Sequence, residues 1–253
     1  MTQNIMFLNE HYVSKSNDDF FLYLFFLIYL NINMNYQELK EHLFDVSDKK
    51  YADFSKSLSN SEYISIGVKI PVLKSLVKEH KNDQDLKTSD FKLGKYLEID
   101  FIYFALSLIR CKEINEQLKF LEKNIGKAKS WAVTDTITSY LKKLTFDKYW
   151  SFFVKNCDVD YIFTRRMAFI LGLKFYKDEK IINILPYVRK NEDYMVMMAE
   201  AWLMATIAIT YEDDIYNYLS TCDDLTLKRK TISKICDSFR FNQISKERFK
   251  SLR

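Results

Sequence analysis

Glycine and proline are nearly missing from this chain, with four and two residues among 253, against average usage of about 7% and 5%. A sandwich or barrel of many short strands needs those residues at its turns, so their scarcity excludes such folds and leaves an all-α reading. Histidine is scarce as well. His11, His42 and His80 stand apart from one another and from any serine or cysteine motif, which removes a histidine-based triad and marks all three as surface or boundary residues. Cys111, Cys157, Cys222 and Cys236 are widely spaced, with no CxxC pair and no histidine at ligand spacing. Neither a zinc site nor a disulfide framework is indicated, and reduced thiols suit a cytoplasmic protein.

Long apolar runs are lacking too. The strongest, FFLYLFFLIYL at 20 to 30, falls well short of the ~20 residues that cross a bilayer. No positive leader segment or small-residue cleavage site accompanies it, so neither a span nor a secretory signal is expected. The run reads as a helix capped by Asp18 or Asp19 and docked on the body of the protein, with a membrane-surface anchor as the alternative. Met34 is a second candidate start, which would make residues 1 to 33 an N-terminal extension to a single domain over 34 to 253.

What is present is a 48% hydrophobic composition, ample for a large core. The net charge of +4 does not by itself announce a nucleic-acid partner. Its distribution is uneven. Residues 211 to 226 hold Glu212, Asp213, Asp214, Asp223 and Asp224 with no base, whereas 227 to 253 hold nine Lys or Arg, Lys228 and Arg229 among them, against Asp237 and Glu247. That basic surplus could meet phosphates or simply be a solvated helical surface.

From residue 34 onward the apolar spacing is helical almost throughout, with breaks near 46–48, 60–69, 81–90, 112–114, 125–129, 157–160, 176–179, 190–193, 210–213, 220–225 and 241–245. Helices of ten to twenty residues in rapid alternation predict a HEAT-like or armadillo-like α-solenoid of antiparallel helix pairs, with a compact irregular bundle as the alternative.

Three stretches could carry chemistry. In KSWAVTDTITSYLKK, 129 to 143, a helical wheel puts Trp131, Asp135, Thr138 and Lys142 within about 40° of one direction and Val133, Ile137, Tyr140, Leu141 and Leu144 opposite. The plain alternative is a neighbouring helix over Trp131, with Asp135 capping or pairing with Lys142. In FTRRMAFILGLKF, 163 to 175, Arg166 lies in an apolar stripe with Ile162, Phe169 and Leu173. Its guanidinium must find an anion, either an internal carboxylate or an external phosphate; Arg165 projects elsewhere, toward the surface. EDYMVMMAEAWLMATIAI, 192 to 209, is apolar on nearly every side and predicts an inner helix, with Trp202 beside Met195, Met198, Ala199 and Thr206 by default in the core.

Taken in order, GVKIPVLKSLVKEH (67–80), SWAVTDT (130–136), RRMAFILGLKFY (165–176) and YMVMMAEAWLMA (194–205) resemble the AlkD-like DNA alkylation repair family from about residue 35 to the C-terminus. The resemblance implies a HEAT-like superhelix that binds duplex DNA in a basic concave groove and hydrolyses the N-glycosidic bond of N3- or N7-alkylated purines. It implies no metal or organic cofactor, and a monomer is expected. Asp135 matches the family's catalytic aspartate, Trp131 and Trp202 its two site tryptophans, and Arg166 its arginine toward the DNA backbone. Phe54 aligns with an aromatic DNA contact that is a tyrosine elsewhere, and Lys142, Lys228 and Arg229 are the further candidate DNA contacts. Ser130, Ala132 and Met197 depart from residues frequent in relatives, and the superfamily also contains members that keep the fold without glycosylase activity.

Overall fold

The computed structural model describes residues 34–58, 63–188 and 193–253. The apolar run at 20–30 and its expected helix lie outside the described residues. Within them the chain is all-helical. The α-helices are α1 (Tyr36–Asp45), α2 (Lys49–Leu58), α3 (Ile70–His80), α4 (Leu97–Arg110), α5 (Ile114–Asn124), α6 (Trp131–Ile137), α7 (Phe146–Asn156), α8 (Ile162–Gly172), α9 (Tyr194–Ile207), α10 (Glu212–Thr221), α11 (Leu225–Asp237) and α12 (Gln243–Lys250). Short 3-10 turns link several of them, the longest at Glu179–Tyr187. A single isolated bridge, Ile64 to Tyr96, is the extended pairing among the described residues.

The starts of these helices follow from side-chain chemistry. Asn35 opens α1 by accepting from the Gln37 and Glu38 amides, while Glu38 returns a carboxylate to the Asn35 amide. Ser130, Thr145, Asp193, Asp224 and Asn242 cap α6, α7, α9, α11 and α12 in the same manner. Each cap satisfies amides that a helix start leaves unpaired, worth about 1 kcal/mol. At α3, which has no side-chain cap, Pro71 sits in the first turn, where its missing N–H costs nothing.

The helices stack in two layers, as in an α-solenoid. α4, α6, α8, α9 and α11 pack successively on one another, and their contacts match start to start: Arg166 of α8 reaches the Met195 carbonyl at the start of α9, and Gly172 at the end of α8 meets Leu203 near the end of α9. α8 and α9 therefore run in parallel, and α11 runs the same way, since Lys230 meets Tyr194 and Lys234 meets Trp202. α7 runs the other way against α8, since Phe153 meets Phe169 while Tyr149 meets Gly172. α10 and α12 form part of the second layer, joined by Glu212 to Ser245 and Arg248 and by Tyr216 to Phe249.

One continuous apolar core runs from Leu39 to Phe249. Its aromatic centre lies between α7 and α8, where Phe146, Trp150 and Phe153 stack in series and Tyr187 closes the edge. Trp150 is thus a packing residue. Gly172 lets three helices converge: a Cβ there would lie 2.5 Å from the Tyr149 hydroxyl and 2.9 Å from Leu203 Cδ2.

The expected breaks mostly recur, with one omission that bears on the site. No break was expected between 130 and 156, yet α6 ends at Ile137 and a 3-10 turn and extended segment follow. Thr134, Thr138 and Ser139 return their hydroxyls to the carbonyls of Trp131, Asp135 and Thr136, which competes with helix propagation. The buried Gln117 carboxamide then takes over the freed backbone. It donates to the Leu108 and Tyr140 carbonyls and accepts from the Lys142 amide.

Candidate functional site

α4 carries two buried carboxylates that fix the surroundings of α6. Glu98 accepts from the Ser65 hydroxyl and the amides of Ile66, Gly67 and Val68, at 2.9 to 3.3 Å. This pins the loop into GVKIP. Gly67 is required within it, because its φ is +100° and a Cβ would strike the Asp48 carbonyl. Asp100 accepts from the Tyr63 hydroxyl and from the Gly94 amide, and the same Tyr63 oxygen accepts from the Lys129 amide at 3.0 Å. Asp100 thereby holds, through Tyr63, the backbone immediately before the Ser130 cap of α6. Burial pushes the Asp100 carboxyl up to about 6, opposed by its Tyr63 and Gly94 hydrogen bonds and the Lys129 charge. Burial, with the nearby Asp100 charge, pushes the Tyr63 phenol well above its ordinary range.

On α6, Asp135 lies one turn after Trp131 and points toward α8. Both Asp135 oxygens are engaged by Arg166: Nε donates to Oδ1 at 2.9 Å and an Nη to Oδ2 at 2.6 Å. The other Nη donates to the Met195 carbonyl, and the Thr134 hydroxyl donates to Asp135 Oδ1 at 3.1 Å. Of the two partners the sequence leaves open to Arg166, the structure supplies the internal carboxylate. The expected phosphate role is therefore not a free guanidinium waiting for DNA, since the side chain is only 6% exposed. Asp135 keeps 13% exposure, and an ionised carboxylate has about four acceptor positions, so a paired Asp135 can still face water or a ligand.

The tryptophans divide by environment. Trp131 is half-buried and lines a cavity of about 130 Å³ with Tyr51, Phe54, Ser130, Thr136 and the Glu98 side chain. Phe54, 56% exposed, shares that cavity wall with Trp131. Trp202 was expected in the core by default, but it is 40% exposed. Its stripe on α9, with Tyr194, Met195, Met198 and Thr206, is the one that faces outward, whereas Val196, Met197, Ala199, Ala201, Leu203 and Met204 are buried. The inner-helix expectation holds for the rest of α9.

Lys142 does not share the Asp135 face. The wheel that placed it there required a helix through 142, and α6 stops five residues earlier; Lys142 is exposed on the segment held by Gln117. On α11, Lys228 and Arg229 are not the basic residues nearest Trp202. Lys234 Nζ lies 5.8 Å from the Trp202 ring centre and Lys230 Nζ 5.8 Å from that of Tyr194, and the charges of Arg166 and Asp135 both act on Lys234. These two lysines were missed because a charge count does not say which side of a helix faces α9; their four-residue spacing was the available signal. Two of the other bases are spent locally, since Arg248 pairs with Glu212 and Asp213, and Lys250 with Glu247. Arg165, expected at the surface, is half-buried.

His80 pairs with Asp83 at 2.8 Å, away from the site. The four cysteines are free thiols. Among the described residues no group of His, Cys, Asp and Glu could hold a metal ion, and no helix is long and apolar enough to cross a membrane.

No curated protein matches the chain. A family model described as DNA alkylation repair enzyme matches residues 39–235, a span that takes in Glu98, Trp131, Asp135, Arg166, Trp202 and Lys234. The chain belongs to the DNA alkylation repair enzyme family.

Proposed function

We propose that this protein is a DNA glycosylase that hydrolyses the N-glycosidic bond of N3- or N7-alkylated purines in duplex DNA. The observation that carries the reading is Asp135, a carboxylate clamped in one orientation by Arg166 and Thr134, one turn from Trp131 and still 13% exposed. An alkylated purine is already cationic and leaves readily. As its bond to the sugar breaks, positive charge passes to the deoxyribose, and the transition state resembles an oxocarbenium ion. A negative oxygen held in place stabilises that charge without reorganising, and the same oxygen can orient the attacking water. The indoles of Trp131 and Trp202 offer electron-rich faces to the sugar. Arg166 acts here by aiming Asp135, with Phe54, Lys142, Lys228 and Arg229 as outlying contacts along the duplex in a basic groove.

Incubating methylated duplex DNA with excess protein should release 7-methylguanine or 3-methyladenine, separable by chromatography. Asp135→Asn should lower the single-turnover rate by roughly 100-fold or more, the scale of losing one oriented electrostatic group. Folded wild-type protein in excess that releases no base overturns the catalytic reading. One observation favours a second reading, a non-catalytic helical-repeat module binding nucleic acid: both Asp135 oxygens already serve Arg166. Salt-dependent duplex binding unaltered by Asp135→Asn, with no product, would select it.

A further inference from the structure

α9 and α11 present two matched pairs outside the Asp135 clamp. Tyr194 and Trp202 lie eight residues apart on α9, and Lys230 and Lys234 lie one turn apart on α11; Lys230 covers the first ring and Lys234 the second. Both residues are exposed, at 55% and 40%, so neither pair is a buried seam between helices. The charges around Lys234 are those of Arg166, Asp237, Asp135 and Lys230. With Lys234 itself, three cations face two carboxylates, and Arg166 is already committed to Asp135, so Lys230 and Lys234 are left against Asp237 and the rim beside Trp202 carries an excess of positive charge. Burial first, then the Arg166 guanidinium, pushes the Lys234 ammonium below the ordinary lysine range.

Such a rim disfavours a cation and suits an anion. A bare ammonium over Trp202 would repel a sugar that becomes positive beside the same ring, so Lys234 serves a glycosylase only when a negative group draws and neutralises it. Lysines one turn apart rise by about 6 Å along a helix, and one strand of duplex DNA carries a phosphate about every 3.4 Å of its axis. Exposed aromatic faces alternating with ammonium groups form a rail for a phosphodiester backbone. We infer that Lys234, with Lys230, grips the backbone phosphates next to the nucleotide held at Asp135, and that Lys234 acts in binding rather than in the chemical step. The inference rests on the glycosylase reading of the site and adds residues to it.

The test is equilibrium binding of a duplex oligonucleotide containing one 7-methylguanine, over about 50 to 200 mM salt, with wild type, Lys234→Ala, Lys234→Arg and Lys119→Ala. Base release by saturating protein is measured on the same samples. Each phosphate contact contributes a slope of about 0.9 in log affinity against log salt, or about 3.5-fold over this range. Lys234→Ala should lose that slope and weaken binding several-fold, with the saturated release rate within about 3-fold of wild type. Lys234→Arg should keep the slope. Lys119→Ala, on the exposed side of α5, should keep the wild-type slope. An unchanged slope for Lys234→Ala overturns the inference, and so does a lowered melting temperature with unaltered binding, which would make the pair a structural stitch. A slope unchanged with a large rate loss also overturns it. Wild-type protein that releases no base sinks the parent reading instead, and the slope of Lys234→Ala still decides whether this lysine meets a phosphate.

Discussion

At the residue scale the site is organised by buried carboxylates, and each predicts a different response. Asp135 and Arg166 form a nearly buried, bidentate pair. Removing one member of such a pair leaves the other charge uncompensated, at a cost of about 3–5 kcal/mol. Arg166→Ala should therefore lower stability by that order in urea titration, and Arg166→Lys should recover only part of it, because an ammonium cannot reproduce the fork. A loss under about 1 kcal/mol for Arg166→Ala would show that the pair does not hold α6 to α8. Asp100 behaves otherwise. Its folded carboxyl is raised to about 6 by burial, so the folded state holds the proton more tightly than the unfolded chain. Its contribution is full below the unfolded value near 4, and it is lost as pH climbs through about 6. Asp100→Asn should gain on wild type by on the order of 3 kcal/mol between pH 4 and 7. A stability difference that stays flat over that window would refute the assignment.

At the element scale, the short α6 and the convergence at Gly172 decide where the functional side chains stand. Gly172→Ala drives a methyl into the Tyr149 hydroxyl and Leu203, an overpacking cost of about 1–3 kcal/mol. Because the Tyr149 oxygen is buried without a hydrogen-bond partner among the described residues, Tyr149→Phe should itself be mild and should restore much of the loss in the double variant. Full additivity of the two changes would argue against this contact. The existence and type of most helices were legible from the 3.6-residue period of leucine, isoleucine and phenylalanine, since that period reflects a face buried whatever the neighbours are. The end of α6 was not. Val133, Ile137, Tyr140 and Leu141 keep a helical spacing through a segment whose backbone is instead captured by Thr138, Ser139 and the distant Gln117. That competition is invisible to periodicity, and it moved Lys142 away from the Asp135 face.

At the scale of the whole molecule, among the described residues α8 and α9 are packed between inner-row neighbours, while α12 closes the stack on α10 and α11. In a nearest-neighbour stack the ends open first. Amide exchange should accordingly be slower in α8 and α9 than in α12, and equal protection of these helices would count against the layered description. The charge pattern also belongs to this scale. A basic surplus in residues 227 to 253 was legible as a count, but Arg248 and Lys250 spend their charge on local carboxylates, and which of the others face the site depends on the docking of α11 against α9.

The sequence by itself determined that the chain is helical, that its helices are short and alternate, and that Trp131 and Asp135 share a turn. Those properties follow from scarce glycine and proline and from local spacing along one element. Only the tertiary structure decided that Arg166 closes on Asp135, that Trp202 faces outward, and that Lys230 and Lys234 are the lysines beside the rings. These depend on which faces of α6, α8, α9 and α11 meet. That pairing is settled by the packing of the whole apolar core, with groups separated by 31 to 36 residues brought into contact.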